Sequence, residues 1–347
     1  MAIPRRMPRP GDQAPGFTIG VLGAAKIVKE ALLAPAAIVD GVEVDAIAAR
    51  NVGRAEAYAA EHGIARVLPS YEHVLDDPGI DAVYLPAPSA LHGYWMRRAL
   101  DAGKHVLCEK PFTANAGESA EIAELAEDTG LVVMEAFHSR HHPMWTRLTE
   151  IVGSGALGEI HEASARFCVT HLDAGAIQWQ RELGGGALLD LGCYPVHLLR
   201  FLFGEPRVTA ARARDIDGVD ASMKAELAFP GSVSGHVEAS MWAEDARGAE
   251  LRVTGSAGVL HVRMPYHPHF HGLITLTTEE EVLTEPGNPR TTYSFQLERF
   301  RDAVRDGAPV VTDAREATAR MHVIDAIYRA AGMQPREPLN PENPSAT

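Results

Sequence analysis

Between Phe17 and about residue 140, short apolar runs alternate with stretches of helical spacing, and this alternation constrains the fold most. Phe17-Thr18-Ile19-Gly20-Val21-Leu22-Gly23 reads as a buried strand that stops on glycine. Lys26 to Leu33 then reads as a helix stopped near Pro35. Val42 to Ala48 reads as a second strand, with a helix from Gly53 to His62 behind it. Further strands are expected at Ala82 to Leu85, His105 to Leu107 and Leu131 to Glu135, and helices at Leu91 to Ala102 and Gly117 to Thr129. Strands alternating with helices imply a parallel sheet with right-handed crossovers. Residues 17–140 are therefore expected to form a doubly wound nucleotide-binding α/β unit, with ligands at the C-terminal ends of the strands.

Two strand ends bear on the ligand. The usual phosphate fingerprint is Gly-x-Gly-x-x-Gly, and the turn here is Gly23-Ala24-Ala25-Lys26-Ile27-Val28, which keeps only the first glycine. Ala25 stands where backbone approaches a pyrophosphate. Helix N-terminal amides bind phosphate without glycine, because the donors and the dipole remain. A plain tight turn explains the same residues equally well. The second strand ends Ala48-Ala49-Arg50-Asn51. A carboxylate there would bind a ribose 2′-hydroxyl and repel a 2′-phosphate, whereas a small residue and a guanidinium suit the phosphate. NADP is favoured over NAD on this ground, the alternative being a solvated loop arginine.

A third strand end is Lys104-His105-Val106-Leu107-Cys108-Glu109-Lys110-Pro111. Proline fixes φ and sharpens a turn that can aim Lys110 into a crevice. On these residues alone, a surface Glu-Lys pair is the simpler reading. At 347 residues the chain is long enough for two domains. Its net charge of -14 argues against a nucleic-acid partner. Cys108, Cys168 and Cys193 show no metal spacing and leave one thiol unpaired in any scheme, which fits a reducing, cytoplasmic location. No run approaches a membrane span. Residues 1–16, Pro- and Arg-rich without an apolar core, read as a flexible tail rather than a secretory signal, and residues 335–347 read the same way.

Residues 141–334 have a different texture. A helix from Met144 to Val152 leads to Glu159 to Phe167. Strands are then expected at Arg207 to Arg214, Met223 to Phe229, Ser232 to Met241, Glu250 to Thr254, Gly258 to Met264, Leu273 to Thr277 and Glu281 to Thr284. Gly255-Ser256-Ala257-Gly258 reads as a hairpin turn. The fold class is thus α/β followed by α+β, the second part a large, mostly antiparallel open sheet with helices on one face. Val237 and Ala239 alternate with Glu238 and Ser240, which implies that both faces are partly buried and that the sheet forms a homodimer or homotetramer. Helices Phe295 to Arg305 and Asp313 to Ala331 close the chain.

One helix, Ala187 to Phe203, follows Gly184-Gly185-Gly186. Asp190, Tyr194 and His197 share one face of it, while Leu188, Leu189, Leu191, Val196, Leu198 and Leu199 must be core. The glycines let backbone approach closely, so the polar stripe reads as facing a site. For His197 a satisfied structural histidine is as good a reading. His267, His269 and His271 alternate, but Pro265 and Pro268 make a loop of them; a histidine-rich cleft rim is favoured and no metal is expected. His138, His141 and His142 can line the same cleft. Trp179 and Arg181 either reach cofactor or substrate or brace the loop before the glycines.

These motifs together resemble the glucose–fructose oxidoreductase / inositol dehydrogenase / rhizopine-catabolism (Gfo/Idh/MocA) family, in its dihydrodiol and xylose dehydrogenase branch. The resemblance runs from Phe17 to Gly332. It rests on Gly20 to Ile27, Ala102 to Pro111, Glu135-Ala136-Phe137-His138 and Gly184 to Tyr194. The Glu-Lys-Pro segment in this setting is specific; the glycine turn is not. The resemblance implies a Rossmann domain, an open sheet that buries its outer face in a dimer, and a nicotinamide between Lys110 and the Asp190–Tyr194 helix. Gly23, Ala25, Lys26, Ile27, Arg50, Asn51, Pro86, Ser89, His92, Glu109 and Lys110 are the expected cofactor residues. His138, Trp179, Arg181, Asp190, Tyr194 and His197 are the expected substrate residues. Inositol-type members carry histidine four residues after the aspartate; Tyr194 stands there in this chain, as in the dihydrodiol and xylose branch.

The implied activity is NADP-dependent hydride transfer at a secondary alcohol or ketone of a sugar, cyclic polyol or dihydrodiol. A cofactor-binding regulator without turnover, and redox-neutral glycoside cleavage through a keto intermediate, use the same fold. Tyr194 is the first candidate for the proton, with the Lys110 ammonium lowering its pKa by stabilising phenolate. Asp190 would orient substrate or Lys110. The roles of Lys110 and Tyr194 can be exchanged without changing the site.

Overall fold

A computed structural model of the chain describes residues 17–170, 173, 175–242 and 247–341. The expected N-terminal tail and residues 342–347 lie outside the described residues. The first sheet comprises β1 (Phe17–Leu22), β2 (Val42–Ala48), β3 (Arg66–Val67), β4 (Ala82–Leu85), β5 (His105–Cys108) and β6 (Val133–Glu135). All pairs are parallel, in the order β3-β2-β1-β4-β5-β6. Helices cover both faces, so β4 is buried at all four residues and reads as an unbroken apolar run. The order reverses between β1 and β4, and the crevice beyond their C-terminal ends is where such sheets bind ligands.

The sequence missed β3 and the Tyr71–Leu75 helix, both too short to show a period. The first helix also differs from expectation, since it runs through Pro35 to Ala36. A wide turn over Lys29–Leu33, closed by the Ala34 N–H on the Lys29 carbonyl, seats the ring without breaking the helix.

The second sheet has eight strands: β7 (Ile160–Cys168), β8 (Arg207–Ile216), β9 (Val219–Ala228), β10 (Ser234–Ser240), β11 (Gly248–Gly255), β12 (Gly258–Arg263), β13 (Leu273–Thr278) and β14 (Val282–Pro286). Their order is β14-β13-β12-β11-β7-β10-β9-β8, and only the β7–β10 pair is parallel. The Pro143–Gly153, Cys193–Phe203 and Ala314–Ala330 helices pack on one face. Trp145, Leu148, Leu198, Val237, Leu251 and Ile324 belong to that core. The stretch Arg181–Phe203 is, against expectation, long and apolar enough for a membrane span, but its most apolar window is 78% buried here and serves as core.

The other face carries alternating charges. Lys224, Glu238, Arg166 and Glu250 lie opposite one another across β9, β10, β7 and β11. Lys224 pairs with Glu238 at 2.8 Å and Arg166 with Glu250 at 3.1 Å. A correction concerns residues 335–341, which are not a free tail. Arg336 is fully buried, donating to the Gly185 carbonyl at 2.8 Å and to Asp220 at 2.7 Å. Leu339 donates to the Ala90 carbonyl at 2.7 Å, so the segment straps the glycine turn to the first sheet.

Candidate active site

The crevice is walled by the loops after β1, β4 and β5 and by the start of the Cys193–Phe203 helix. Lys110 lies two residues beyond β5 and precedes a cis bond to Pro111. Its Nζ donates to the Asp190 carbonyl at 2.6 Å and to Asp190 Oδ1 at 3.1 Å. Asp190 sits in a wide turn, Leu188–Gly192, and Pro195 follows it with no N–H to offer. Such turns leave carbonyls to outside donors, and here the donor is the lysine. Burial disfavours the ammonium, but Asp190 above all, with Cys193 and Glu109, outweighs it and holds the Lys110 pKa above the usual lysine value. Lys110 is therefore a fixed cation at neutral pH. A small cavity of about 60 Å³ beside it is lined by Pro88, Ser89, Lys110, Gln178, Gly185 and Asp190, among others. A Cβ on Gly184 would come within 2.0 Å of Ser89 Oγ, so the glycine turn can close on the β4 loop only without a side chain.

Tyr194 lies one turn on, with the Lys110 Nζ 5.1 Å from its ring centre. Phe137, Phe167 and Tyr266 pack around the ring, which is 4% exposed. Burial raises its pKa well above the usual phenol value. This corrects the expectation of a lowered pKa, because desolvation outweighs the neighbouring ammonium. The Tyr194 hydroxyl meets His138 Nε2 at 3.1 Å, and His138 Nδ1 meets Thr292 Oγ1 at 2.8 Å. Burial, with His267, His269, Lys110 and His141 nearby, holds the His138 pKa well below normal, so the ring is neutral.

The far end of the crevice holds the Gly23 turn. Gly23 has φ +137°, and a Cβ there would lie 3.3 Å from the Tyr71 hydroxyl and 3.7 Å from Pro86. That opening, kept clear of side chain, fits backbone approach by a dinucleotide. Ala25, Lys26 and Ile27 follow, half-buried, exposed and half-buried. Arg50 is exposed and Asn51 caps the next helix, accepting from the Arg54 N–H. Arg54 donates to the Ala24 carbonyl at 2.8 Å. Arg50 and Arg54 both lower the Tyr71 pKa against the dominant effect of burial, which places both guanidinium groups at this mouth. Arg54 and Tyr71 were not anticipated. Arg54 stands in the first turn of the helix that Asn51 caps, and a second arginine so close behind Arg50 was a legible signal.

Residues 17–137 match the oxidoreductase family with an NAD-binding Rossmann fold, and residues 145–261 match the GFO/IDH/MocA C-terminal domain. A D-xylose 1-dehydrogenase (NADP(+)) of Haloferax volcanii is 36% identical over 90% of this chain and 96% of its own. A dTDP-3,4-didehydro-2,6-dideoxy-alpha-D-glucose 3-reductase of Streptomyces violaceoruber is also 36% identical, over 90% and 95%. The solved 3-ketoreductase KijD10 of Actinomadura kijaniata, in complex with NADP and TDP-benzene, superposes with a TM-score of 0.84 at 27% identity, over 91% of this chain and 98% of that one. The chain belongs to the GFO/IDH/MocA oxidoreductase family.

Within this family member several expected residues stand away from the crevice. His92 was expected at the cofactor, but both ring nitrogens face backbone carbonyls, Nδ1 that of Pro111 at 2.9 Å and Nε2 that of Ala87 at 2.7 Å. Burial lowers its pKa to about 4, so the neutral ring donates to one carbonyl at a time and ties the β4 loop to the Lys110-Pro111 turn. Glu109 lies beneath the site, accepting from the Tyr84 hydroxyl at 2.6 Å. His197 was expected at the substrate, yet its Nδ1 sits 3.3 Å from Glu316, and its ring packs on Phe137 and Trp145. Trp179 packs edge-on against Trp242, and the Arg181 side chain lies over Gly218. Neither lines the cavity, which takes Ile177, Gln178 and Leu183 from the same loop instead. His267 and His269 are half-buried near His138, whereas His271 is exposed. Among the described residues no group of three His, Cys, Asp or Glu is placed to hold a metal ion.

Proposed function

We propose that this protein is an NADP(H)-dependent reductase or dehydrogenase acting on a secondary alcohol or ketone of a sugar or polyol-like substrate. The observation that carries the reading is the Lys110–Asp190–Tyr194 set at the sheet's C-terminal edge, across the crevice from the Gly23 turn. The relatives add a xylose dehydrogenase, a dTDP-sugar reductase and a rabbit trans-1,2-dihydrobenzene-1,2-diol dehydrogenase, 30% identical over 84% of this chain. Crystal structures of a lysine variant and a tyrosine variant of KijD10 are also matched. Along the sequence, the two substituted positions there are separated by as many residues as Lys110 and Tyr194 are here.

When bound, the nicotinamide supplies or accepts the hydride. The chain's own residues do the rest. The Gly23–Val28 turn would hold the pyrophosphate through backbone amides. Arg50 and Arg54 would hold the 2′-phosphate. Tyr194, a neutral phenol, gives its proton to the carbonyl oxygen, and the Lys110 ammonium stabilises the charge growing on that oxygen. Asp190 keeps Lys110 in place. Phenol and ammonium are both in their acid forms, which suits ketone reduction. The open second sheet is the surface for self-association in this reading, its alternating charges facing a second copy.

Cofactor absorbance, followed with NADPH and NADP against keto-sugars, aldoses, cyclic polyols and dihydrodiols, tests the activity. Tight NADP binding with no turnover of any would favour a regulator. Arg50→Ala should weaken NADP by about 1.5–3 kcal/mol, the worth of a charge-assisted contact, and leave NAD unaffected.

A further inference from the structure

We propose that His138 and Thr292 form a proton relay linking the Tyr194 phenol to solvent at His269. The inference rests on the reading of Tyr194 as the group that protonates the substrate. Tyr194 is enclosed by Phe137, Phe167, Tyr266 and His138, and a proton given up in each turnover must be replaced through that wall. Lys110 is a poor source, since its ammonium is held by two acceptors of Asp190 and kept charged. The other polar route leads away from the substrate. Tyr194 Oη meets His138 Nε2 at 3.1 Å, His138 Nδ1 meets Thr292 Oγ1 at 2.8 Å, and Thr292 Oγ1 meets His269 Nδ1 at 3.5 Å. The last link is the longest, and it lies where the chain of groups reaches a half-buried ring.

The four groups come from four elements. Tyr194 is on the Cys193–Phe203 helix, His138 on the turn after β6, Thr292 at the start of the Thr292–Asp306 helix, and His269 in the loop between β12 and β13. Each has the capacity the relay needs. A neutral imidazole donates at one nitrogen and accepts at the other, and a hydroxyl does both. The groups facing His138, namely His267, His269, Lys110 and His141, all oppose a charged ring and keep it in that state. Glu30, from the first helix, faces His269 at the outer end.

The step balances as follows in the direction of ketone reduction. The substrate carbonyl carbon takes the hydride, and its oxygen takes the Tyr194 proton. The phenolate takes the Nε2 proton of His138. His138 Nδ1 takes the Thr292 hydroxyl proton, and Thr292 takes the Nδ1 proton of His269. His269 Nε2 takes one proton from water. One solvent proton is consumed and every ring ends neutral. Alcohol oxidation runs the same sequence in reverse.

Thr292→Val keeps the shape of a fully buried side chain and removes its hydroxyl. The expected result is a fall in kcat of about 10²-fold, the low end of general acid–base help. KM and NADPH affinity should stay near wild type, the solvent deuterium isotope effect on kcat should rise, and added imidazole should restore part of the rate. Thr292→Ser, which keeps the hydroxyl, should restore most of it. A valine variant with wild-type kcat and isotope effect overturns the relay, as does a serine variant as slow as the valine one. A second readout needs no substrate. In protein labelled with ¹⁵N-histidine, the His138 ring should stay neutral across the neutral pH range and change its tautomer balance in Thr292→Val. A His138 ring that titrates near neutrality, or one indifferent to Thr292, overturns the relay even where the assay finds no substrate. Absence of turnover in the wild type with the expected ring spectrum counts against the proposed activity alone.

Discussion

One helical face carries two polar clusters, and they behave in opposite ways. Asp190 and Tyr194 meet Lys110 and His138, while His197 and Arg200, one to two turns further on, meet Glu316 and Arg320. The second cluster is closed off from the cavity beside Lys110, which none of its residues lines. Arg320 pairs with Glu135, both side chains fully buried, and also with Glu316 at 3.1 Å; Arg200 reaches Glu316 at 2.6 Å. Arg200 also pairs with Glu205, so two cations face three carboxylates. In the first cluster one cation faces one carboxylate, and the phenol and imidazole beside them are neutral and able to pass a proton. Buried charge alone therefore does not mark the site. What marks it is a charge pair that lines the crevice cavity, with a neutral phenol and imidazole hydrogen-bonded next to it.

The strongest way to break this contrast is to disable the open cluster. Lys110→Ala and Tyr194→Phe should each lower kcat by about 10²–10⁴-fold, with NADP affinity and unfolding temperature near wild type. A Tyr194→Phe enzyme as fast as wild type on its true substrate would remove the phenol from the chemistry. Next in size is Arg320→Met, which leaves Glu135 buried without its cation. Denaturant unfolding should show a loss of about 3–5 kcal/mol. Loss of activity with unchanged stability would instead make the closed cluster part of the site. His197→Ala should cost about 1–3 kcal/mol, as buried truncations commonly do, and leave kcat close to wild type.

The smallest effect is one of pH. Burial works against the Glu316 carboxylate, but His197, Arg320 and Arg200 hold its pKa well below the usual range. A carboxyl whose folded pKa is depressed stabilises fully above its unfolded value, about 4.3, and loses that contribution as pH falls through the folded value. The stability difference between wild type and Glu316→Gln should be constant at neutral pH and shrink only in acid. A gap that closes between neutrality and the unfolded glutamate pKa would contradict the direction of the shift.

How far the sequence could separate the two clusters is clear from particular residues. Asp190, Tyr194 and His197 share a face by spacing alone, and nothing local distinguishes the third from the first two. The distinction comes from residues distant in sequence, Glu316, which pairs with both His197 and Arg200, and Arg320, which meets His197. Thr292 is no more visible; it is one more polar residue at a helix start until the fold brings it to His138. Arg336 reads as part of a polar tail, because its partners Asp220 and Gly185 are far along the chain. Lys110 was legible through the resemblance of the segment Ala102 to Pro111; the strand before it and the proline after it, taken alone, read more simply as a surface Glu-Lys pair.

The sequence by itself determined the two sheets, their order of appearance, the family, and the strand ends where a dinucleotide and a substrate would meet. The sheets and their strand ends follow from local period and turn chemistry, which act within a few residues of each other; the family follows from the resemblance of whole motifs. The tertiary structure alone decided protonation and partnership. It made Lys110 a fixed cation, raised the Tyr194 pKa instead of lowering it, kept His138 neutral, and turned His92 and His197 to structural use. Those outcomes depend on desolvation and on charges from other elements, and neither is defined until the chain has packed.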